Sequence, residues 1–161
     1  MALTEEESDS DFQPESNGSK ISIILLAAGS SSRMGQSKQL LEINATPLLL
    51  HSVRAALDSS AKSVNVILGA NELAHREVIR NFGVNVISNH YWKSGMGSSI
   101  KAGLNYVVRK YSDTEAVIIM VCDQPAINAT HLGKLSSMFH ETGSPIVASS
   151  YSGTVGVPAL F

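Results

Sequence analysis

Residues 21–41, ISIILLAAGSSSRMGQSKQLL, decide how this chain is read. The opening ISIILLA is continuous, apolar and rich in β-branched side chains, the pattern of a buried strand. About ten residues of mostly Gly, Ser, Arg and Lys follow before Leu40 and Leu41 restore the apolar character. A plain connection needs roughly 2–5 residues and has no use for an Arg and a Lys. The loop is therefore shaped for something outside the chain.

Outward from this stretch, strand and helix patterns alternate. Thr46 is placed as an N-cap before Pro47, and PLLLHSVRAAL then sets Leu49, Val53 and Leu57 on one helical stripe. SVNVILG (63–69) reads as a strand. NELAHREVIRNF (71–82) reads as a helix with Leu73, Val78, Ile79 and Phe82 inward and Gly83 as its C-cap. VNVIS (84–88) is a third strand. A helix opens at Gly97-Ser98-Ser99, turns Ile100, Leu104, Val107 and Val108 inward and runs to about Tyr111. AVIIMV (116–121) is the most hydrophobic strand and is expected at the centre. Asn128 or Thr130 caps another helix through about His140, PIVASSY (145–151) is a fifth strand and TVGVPALF begins a sixth. Strands alternating with helices imply right-handed crossovers and an α/β fold: three layers around a mostly parallel sheet.

Composition narrows the class. Hydrophobic residues make up 43% of the 161, ordinary for a globular domain with a sizeable core. No apolar run spans a bilayer, and the N-terminus lacks the basic and apolar regions of a secretory signal. A lone cysteine, Cys122, excludes an internal disulfide and fits a cytoplasmic location. The net charge of −2 conceals an asymmetry: six acids stand against Lys20 in residues 1–20, leaving eight acids and eleven bases beyond them. Residues 1–20 are expected to be a disordered acidic tail, and 21–161 the folded domain. The modest positive excess suits a phosphate-bearing ligand and is too small for a nucleic-acid face.

In parallel sheets, ligands sit outside the carboxyl ends of the strands. Three polar segments fall there: the opening loop, NHYWKSGMGSS after strand three and CDQP after the central strand. In the loop, Gly29 and Gly35 permit close backbone approach, successive N–H groups form an anion-binding concavity, and Ser30, Ser31 and Ser32 add hydroxyls. Arg33 and Lys38 add fixed charge. The loop is neither a P-loop, whose Lys directly follows the last Gly, nor a G-x-G-x-x-G fingerprint. Asp123 brings a carboxylate to the same edge; beside phosphates it implies an intervening Mg²⁺, which takes one or two carboxylates with waters and phosphate oxygens. Asn89, Trp92, Ser98 and Ser99 are groups able to read a base or ribose. His51, His75, His131 and His140 lie on helices without metal-ligand spacing and are assigned surface or core duty, and His90 has no visible partner. No Ser-His-Asp or Cys-His arrangement is present, as suits a reaction whose nucleophile is already a phosphate anion.

Taken in this order, LAAGSSSRMGQSKQLL (26–41), the N-x-x-W-x-x-G-M-x-S-S segment from Asn89 and VCDQP (121–125) resemble the MobA-like nucleotidyltransferases, most closely the molybdenum cofactor cytidylyltransferases. The resemblance covers about residues 21–161. It implies a Rossmann-like nucleotidyltransferase fold and Mg²⁺-dependent attack of the terminal phosphate of molybdopterin on the α-phosphorus of a nucleoside triphosphate, releasing pyrophosphate. By the same resemblance Leu26, Ala27, Ala28, Gly29, Ser30, Ser31, Arg33 and Lys38 would bind the nucleotide, with Asn89, Ser98 and Ser99 beside the nucleoside. Arg33, Lys38 and Asp123 would be catalytic, Asp123 holding the metal. Ala28 makes the first motif LAAG, as in cytidylyl-transferring relatives, where guanylyl-transferring ones read LAGG; CTP is expected over GTP. A molybdoenzyme is a further candidate partner. Family members usually continue beyond GVPALF, so this chain is expected to lack the C-terminal part of the family domain. Another acceptor, such as a sugar or polyol phosphate, and a nucleotide-binding accessory module without transfer activity are the alternatives.

Overall fold

The computed structural model describes residues 19–31, 35–151 and 153–161. Nearly all of the expected acidic tail, and Ser32 and Arg33 of the loop, lie outside the described residues. Eight strands and four helices follow one another: β1 (Ile21–Ala27), β2 (Glu42–Ile43), β3 (Thr46–Pro47), α1 (Leu48–Leu57), β4 (Ser63–Leu68), α2 (Glu72–Ile79), β5 (Asn85–Ser88), α3 (Met96–Lys110), β6 (Ala116–Val121), α4 (Ala129–Thr142), β7 (Val147–Tyr151) and β8 (Thr154–Leu160). Six of the strands form one sheet in the order β5-β4-β1-β6-β8-β7. The first four neighbours run parallel; β8 pairs antiparallel with β6 and β7. The fold is the expected three-layer α/β arrangement around a mostly parallel sheet.

β1 shows why. All seven of its residues are buried, and they alternate between two cores. Ile21, Ile23, Leu25 and Ala27 join Leu49 and Val53 of α1, Ile79 of α2 and Leu132 of α4 on one face. Ile24 and Leu26 meet Val107 of α3 on the other. Alternate side chains of a strand point to opposite faces, so a continuous apolar run is the sequence of a strand covered on both sides. Gly103 lets α3 settle onto the sheet: a Cβ there would stand 2.7 Å from Ile24 Cγ2. The buried Asn65 is satisfied locally, donating to Ile23 O at 2.9 Å and to Ser63 Oγ at 2.9 Å.

Several local expectations are corrected. Thr46 and Pro47 are not a cap and first turn; they pair with Glu42 and Ile43 in a small hairpin, and α1 begins at Leu48. Asn44 and Ala45 both have positive φ (51° and 58°), as a tight two-residue hairpin turn requires. Helix α2 ends at Ile79, and Gly83 has no left-handed φ, because the NFG segment bends away through a Phe82 N–H bond to Ile79 O. Leu73 is 85% exposed, whereas His75 of the same helix is fully buried. Val108 is 68% exposed: the buried stripe of α3 runs through Ser99, Gly103 and Val107. Asn128, not Thr130, caps α4, its side chain accepting from His131 N–H at 2.9 Å.

Candidate nucleotide site

The chain leaves β1 towards β4 on one side and later returns to β6 on the other, so the carboxyl ends of β1 and β6 flank a topological switch point. A cleft of about 1000 Å³ opens there. Leu26, Ala28, Gly29, Ser30, Ser31, Lys38, Ser99 and Asp123, all expected site residues, line it. Three segments distant in sequence thus meet at one edge of the sheet.

The loop after β1 owes its shape to a residue the sequence reading passed over. Gln39 is 4% exposed. Its amide nitrogen donates to Gly29 O at 2.9 Å and to Ala27 O at 3.3 Å, and its amide oxygen accepts from Ser37 at 2.7 Å and Ser31 at 3.3 Å. With both carbonyls turned into Gln39, the trans peptides point the N–H groups of Ala28 and Ser30 the opposite way. Ser31, in left-handed backbone at φ 52°, also accepts from the Lys38 N–H at 3.0 Å, tying one end of the loop to the other. Ala27 itself is buried and contributes its carbonyl rather than a cleft wall.

From a short 3₁₀ turn at Lys38–Leu40, the Lys38 ammonium reaches Asp123 Oδ2 at 3.4 Å. Both side chains remain nearly half exposed, so each is free to exchange its partner for a ligand. Asp123 follows β6 in a turn braced by the Gln124 amide, which donates to Val157 O at 2.9 Å. Cys122 lines the cleft, but burial, reinforced by the neighbouring Asp123 charge, pushes its thiol up to about 12. It carries no thiolate chemistry at neutral pH.

The third wall comes from the segment after β5. Asn89 is buried and ties that segment together: Nδ2 donates to Ser98 and Ser99, each at 2.9 Å, and Oδ1 accepts from Tyr91 N–H at 2.9 Å. Ser98 is engaged in turn with Tyr91 O and Gly95 O. Asn89 and Ser98 therefore stand behind the cleft wall, with Ser99 on it. Trp92 and Lys93 line the wall, the Lys93 ammonium 5.5 Å from the indole centroid. Gly69 allows this wall to approach the first: a Cβ there would lie 2.6 Å from Trp92 Cβ and 2.8 Å from Ala28 O. Lys93 and Gln39 went unread because a Lys among Ser and Gly, and a Gln before two leucines, look like ordinary surface.

Against known families, residues 23–161 match the MobA-like NTP transferase domain. The chain belongs to that family. MobA-like relatives include nicotine blue oxidoreductase of Paenarthrobacter nicotinovorans, 32% identical over 130 residues that cover 80% of this chain and 61% of the relative. Molybdenum cofactor guanylyltransferase of Vibrio campbellii is 30% identical over 128 residues, covering 78% and 60%. The chain thus spans about six-tenths of the length of these curated MobA-like relatives. Among solved structures, Rv0371c of Mycobacterium tuberculosis H37Rv superposes with a TM-score of 0.77 at 25% identity, over 89% of this chain and 71% of that one.

Among the described residues, no three His, Cys, Asp or Glu side chains cluster as a self-sufficient metal cage, and no helix is long and apolar enough to cross a membrane. A single exposed carboxylate at the cleft suits a cation that arrives with a phosphate ligand, since Mg²⁺ keeps waters and phosphate oxygens in most positions. Asp123 fits that requirement.

Proposed function

We propose that this protein transfers a nucleoside monophosphate, CMP from CTP in preference to GMP from GTP, to the terminal phosphate of a molybdopterin-type acceptor. The observation that carries this reading is the meeting of Lys38 and Asp123 at the cleft formed by the Gly29–Ser31 loop, a cation and an anion at the switch point of a MobA-like domain. An acceptor phosphate oxygen attacks the α-phosphorus, the α–β bridging bond breaks and pyrophosphate leaves. The acceptor is already anionic, so no strong base is needed, and the load on the protein is alignment and charge. The loop N–H groups receive phosphate oxygens, and the Lys38 ammonium neutralises charge growing on the leaving group. Arg33 is assigned the same role by its place in the motif. Mg²⁺, held by Asp123, would supply further neutralisation of the triphosphate. The Ser99 hydroxyl, already accepting from Asn89, keeps its own proton for the nucleoside.

The cytidylyl preference rests on Ala28. Ala28 puts a methyl group on the cleft lining, where the family resemblance implies glycine for guanylyl transfer, and the reduced room favours the smaller pyrimidine. Pyrophosphate release with each triphosphate, with and without molybdopterin and with sugar phosphates as competing acceptors, tests the reading. Release that needs molybdopterin and is fastest with CTP supports it. Release with GTP alone overturns the base, release with a sugar phosphate overturns the acceptor, and tight triphosphate binding without release would make the chain a binding module.

A further inference from the structure

His75 carries an unexplained cost. It lies on α2, fully buried, and its Nδ1 atom has no hydrogen-bond partner among the described residues. A buried polar atom left unpaired is destabilising, and an apolar residue would fill the place more cheaply. Among the described residues its ring makes one polar contact, which runs out of the helix and into the loop: Nε2 lies 2.6 Å from Ser37 Oγ.

Following the protons gives this contact a direction. The Gln39 amide nitrogen donates to Ala27 and Gly29 carbonyls, so its oxygen is the end facing the serines. Ser37 gives its single hydroxyl proton to that oxygen at 2.7 Å. The Ser37 oxygen must then accept from the imidazole, which fixes His75 as the neutral tautomer with hydrogen on Nε2. Nδ1 is left with a lone pair, and a second proton there would be a buried charge without an acceptor. The chain of donors is His75 to Ser37 to Gln39 to the two loop carbonyls, and Lys38 is the covalent neighbour of both Ser37 and Gln39.

We propose that His75 is a positioning residue: through Ser37 and Gln39 it sets the carbonyls of Ala27 and Gly29, and so the shape of the loop that receives the triphosphate. This deepens the nucleotidyl-transfer reading and rests on it. Helix α2 touches no part of the cleft, yet it holds the loop from behind at the turn from which Lys38 departs.

The test combines amide hydrogen exchange of the nucleotide-free protein with CTP affinity, in wild type, His75→Ala, Ser37→Ala, the double variant and His75→Gln. The amides to follow are those of Lys38, Leu40 and Leu41, which are hydrogen-bonded within the loop. Loss of one such bond corresponds to about a two- to tenfold change. The tether predicts faster exchange and a higher Kd of that order in each single variant. It also predicts no further change in the double variant and recovery in His75→Gln, whose amide still donates. Ile79→Val, elsewhere on α2, lowers the melting temperature without moving the CTP affinity. Unchanged loop exchange in both His75→Ala and Ser37→Ala, or additive effects in the double variant, overturns the tether. Accelerated exchange in a protein whose wild type binds no triphosphate upholds the tether and overturns the nucleotide reading instead.

Discussion

Lys38 Nζ and Asp123 Oδ2 stand 3.4 Å apart across the cleft, joining a loop after the first strand to a turn after the sixth. The pair is exposed on both sides and so contributes little to stability, about 0–1 kcal/mol. On the proposed function, its value is in what each partner meets when the other is exchanged for a phosphate or a cation. Lys38→Ala should leave the melting temperature within about 2–4 °C of wild type. Nucleotidyl transfer should fall by roughly 10²–10³, as for loss of a group that stabilises transition-state charge. A variant that unfolds, or one that transfers at the wild-type rate, contradicts this division of roles. Asp123→Asn should likewise fold normally and, on the proposed function, bind CTP equally with and without Mg²⁺ where wild type binds it more tightly with the cation, read by calorimetry.

Gly69 stands between two walls of the site, with no room for a side chain. A methyl group would press on Trp92 Cβ and on the Ala28 carbonyl, and neither is the free end of a flexible chain. Gly69→Ala should therefore destabilise by about 1–3 kcal/mol, the usual cost of overpacking. It should also weaken CTP binding by displacing Ala28. Denaturant unfolding and calorimetry on one preparation check both.

Burial holds the His75 imidazole below its ordinary titration range. In the unfolded chain it protonates near pH 6.5, so the folded state binds fewer protons than the unfolded state just below that pH. Its contribution to stability is thus present above about pH 6.5 and is lost as pH falls towards the depressed folded value. Melting temperatures from pH 8 to pH 5 should drop more steeply for wild type than for His75→Gln. Parallel curves would show that His75 does not titrate with unfolding.

Cys122 tests the dryness of the cleft floor. With its thiol at about 12, native protein at pH 8 should resist iodoacetamide over the time in which unfolded chain is fully alkylated. Asp123→Asn should change this little, because burial is the larger cause. Rapid native alkylation would mean that water reaches the floor freely.

Much of this architecture was legible because of one property of parallel sheets. Strands covered on both faces must be apolar throughout, so ISIILLA and AVIIMV announce themselves, and the loop between β1 and α1 stands out by contrast. Helical stripes were read less well. Leu73 of α2 faces water because the eight-residue helix turns His75 and Ile79 to the sheet, a rotation set by tertiary packing rather than by spacing. Of the residues that line the cleft, Gly29, Ser30, Ser31, Lys38 and Asp123 were visible as types suited to phosphates and their cations, whereas Lys93 was not. Those that hold the lining in place, Gln39, Ser37 and His75, were not, since their meaning lies in who donates to whom across 38 residues of chain. Asn89 stands behind the wall because its amide ties Tyr91, Ser98 and Ser99 together around a 3₁₀ turn at Trp92–Ser94, which no periodicity reveals.

The position of β8 has a bearing on how the molecule is made. β7 precedes β8 in the chain yet joins the sheet only through it, because β8 lies between β6 and β7. On the ribosome, the β1-β4-β5-β6 half, with the loop and Lys38, can form while later residues are still being added. β7 must wait, and so must the brace from Gln124 to Val157 that steadies the turn bearing Asp123. The cationic side of the cleft thus depends on strands made earlier than the brace on its anionic side.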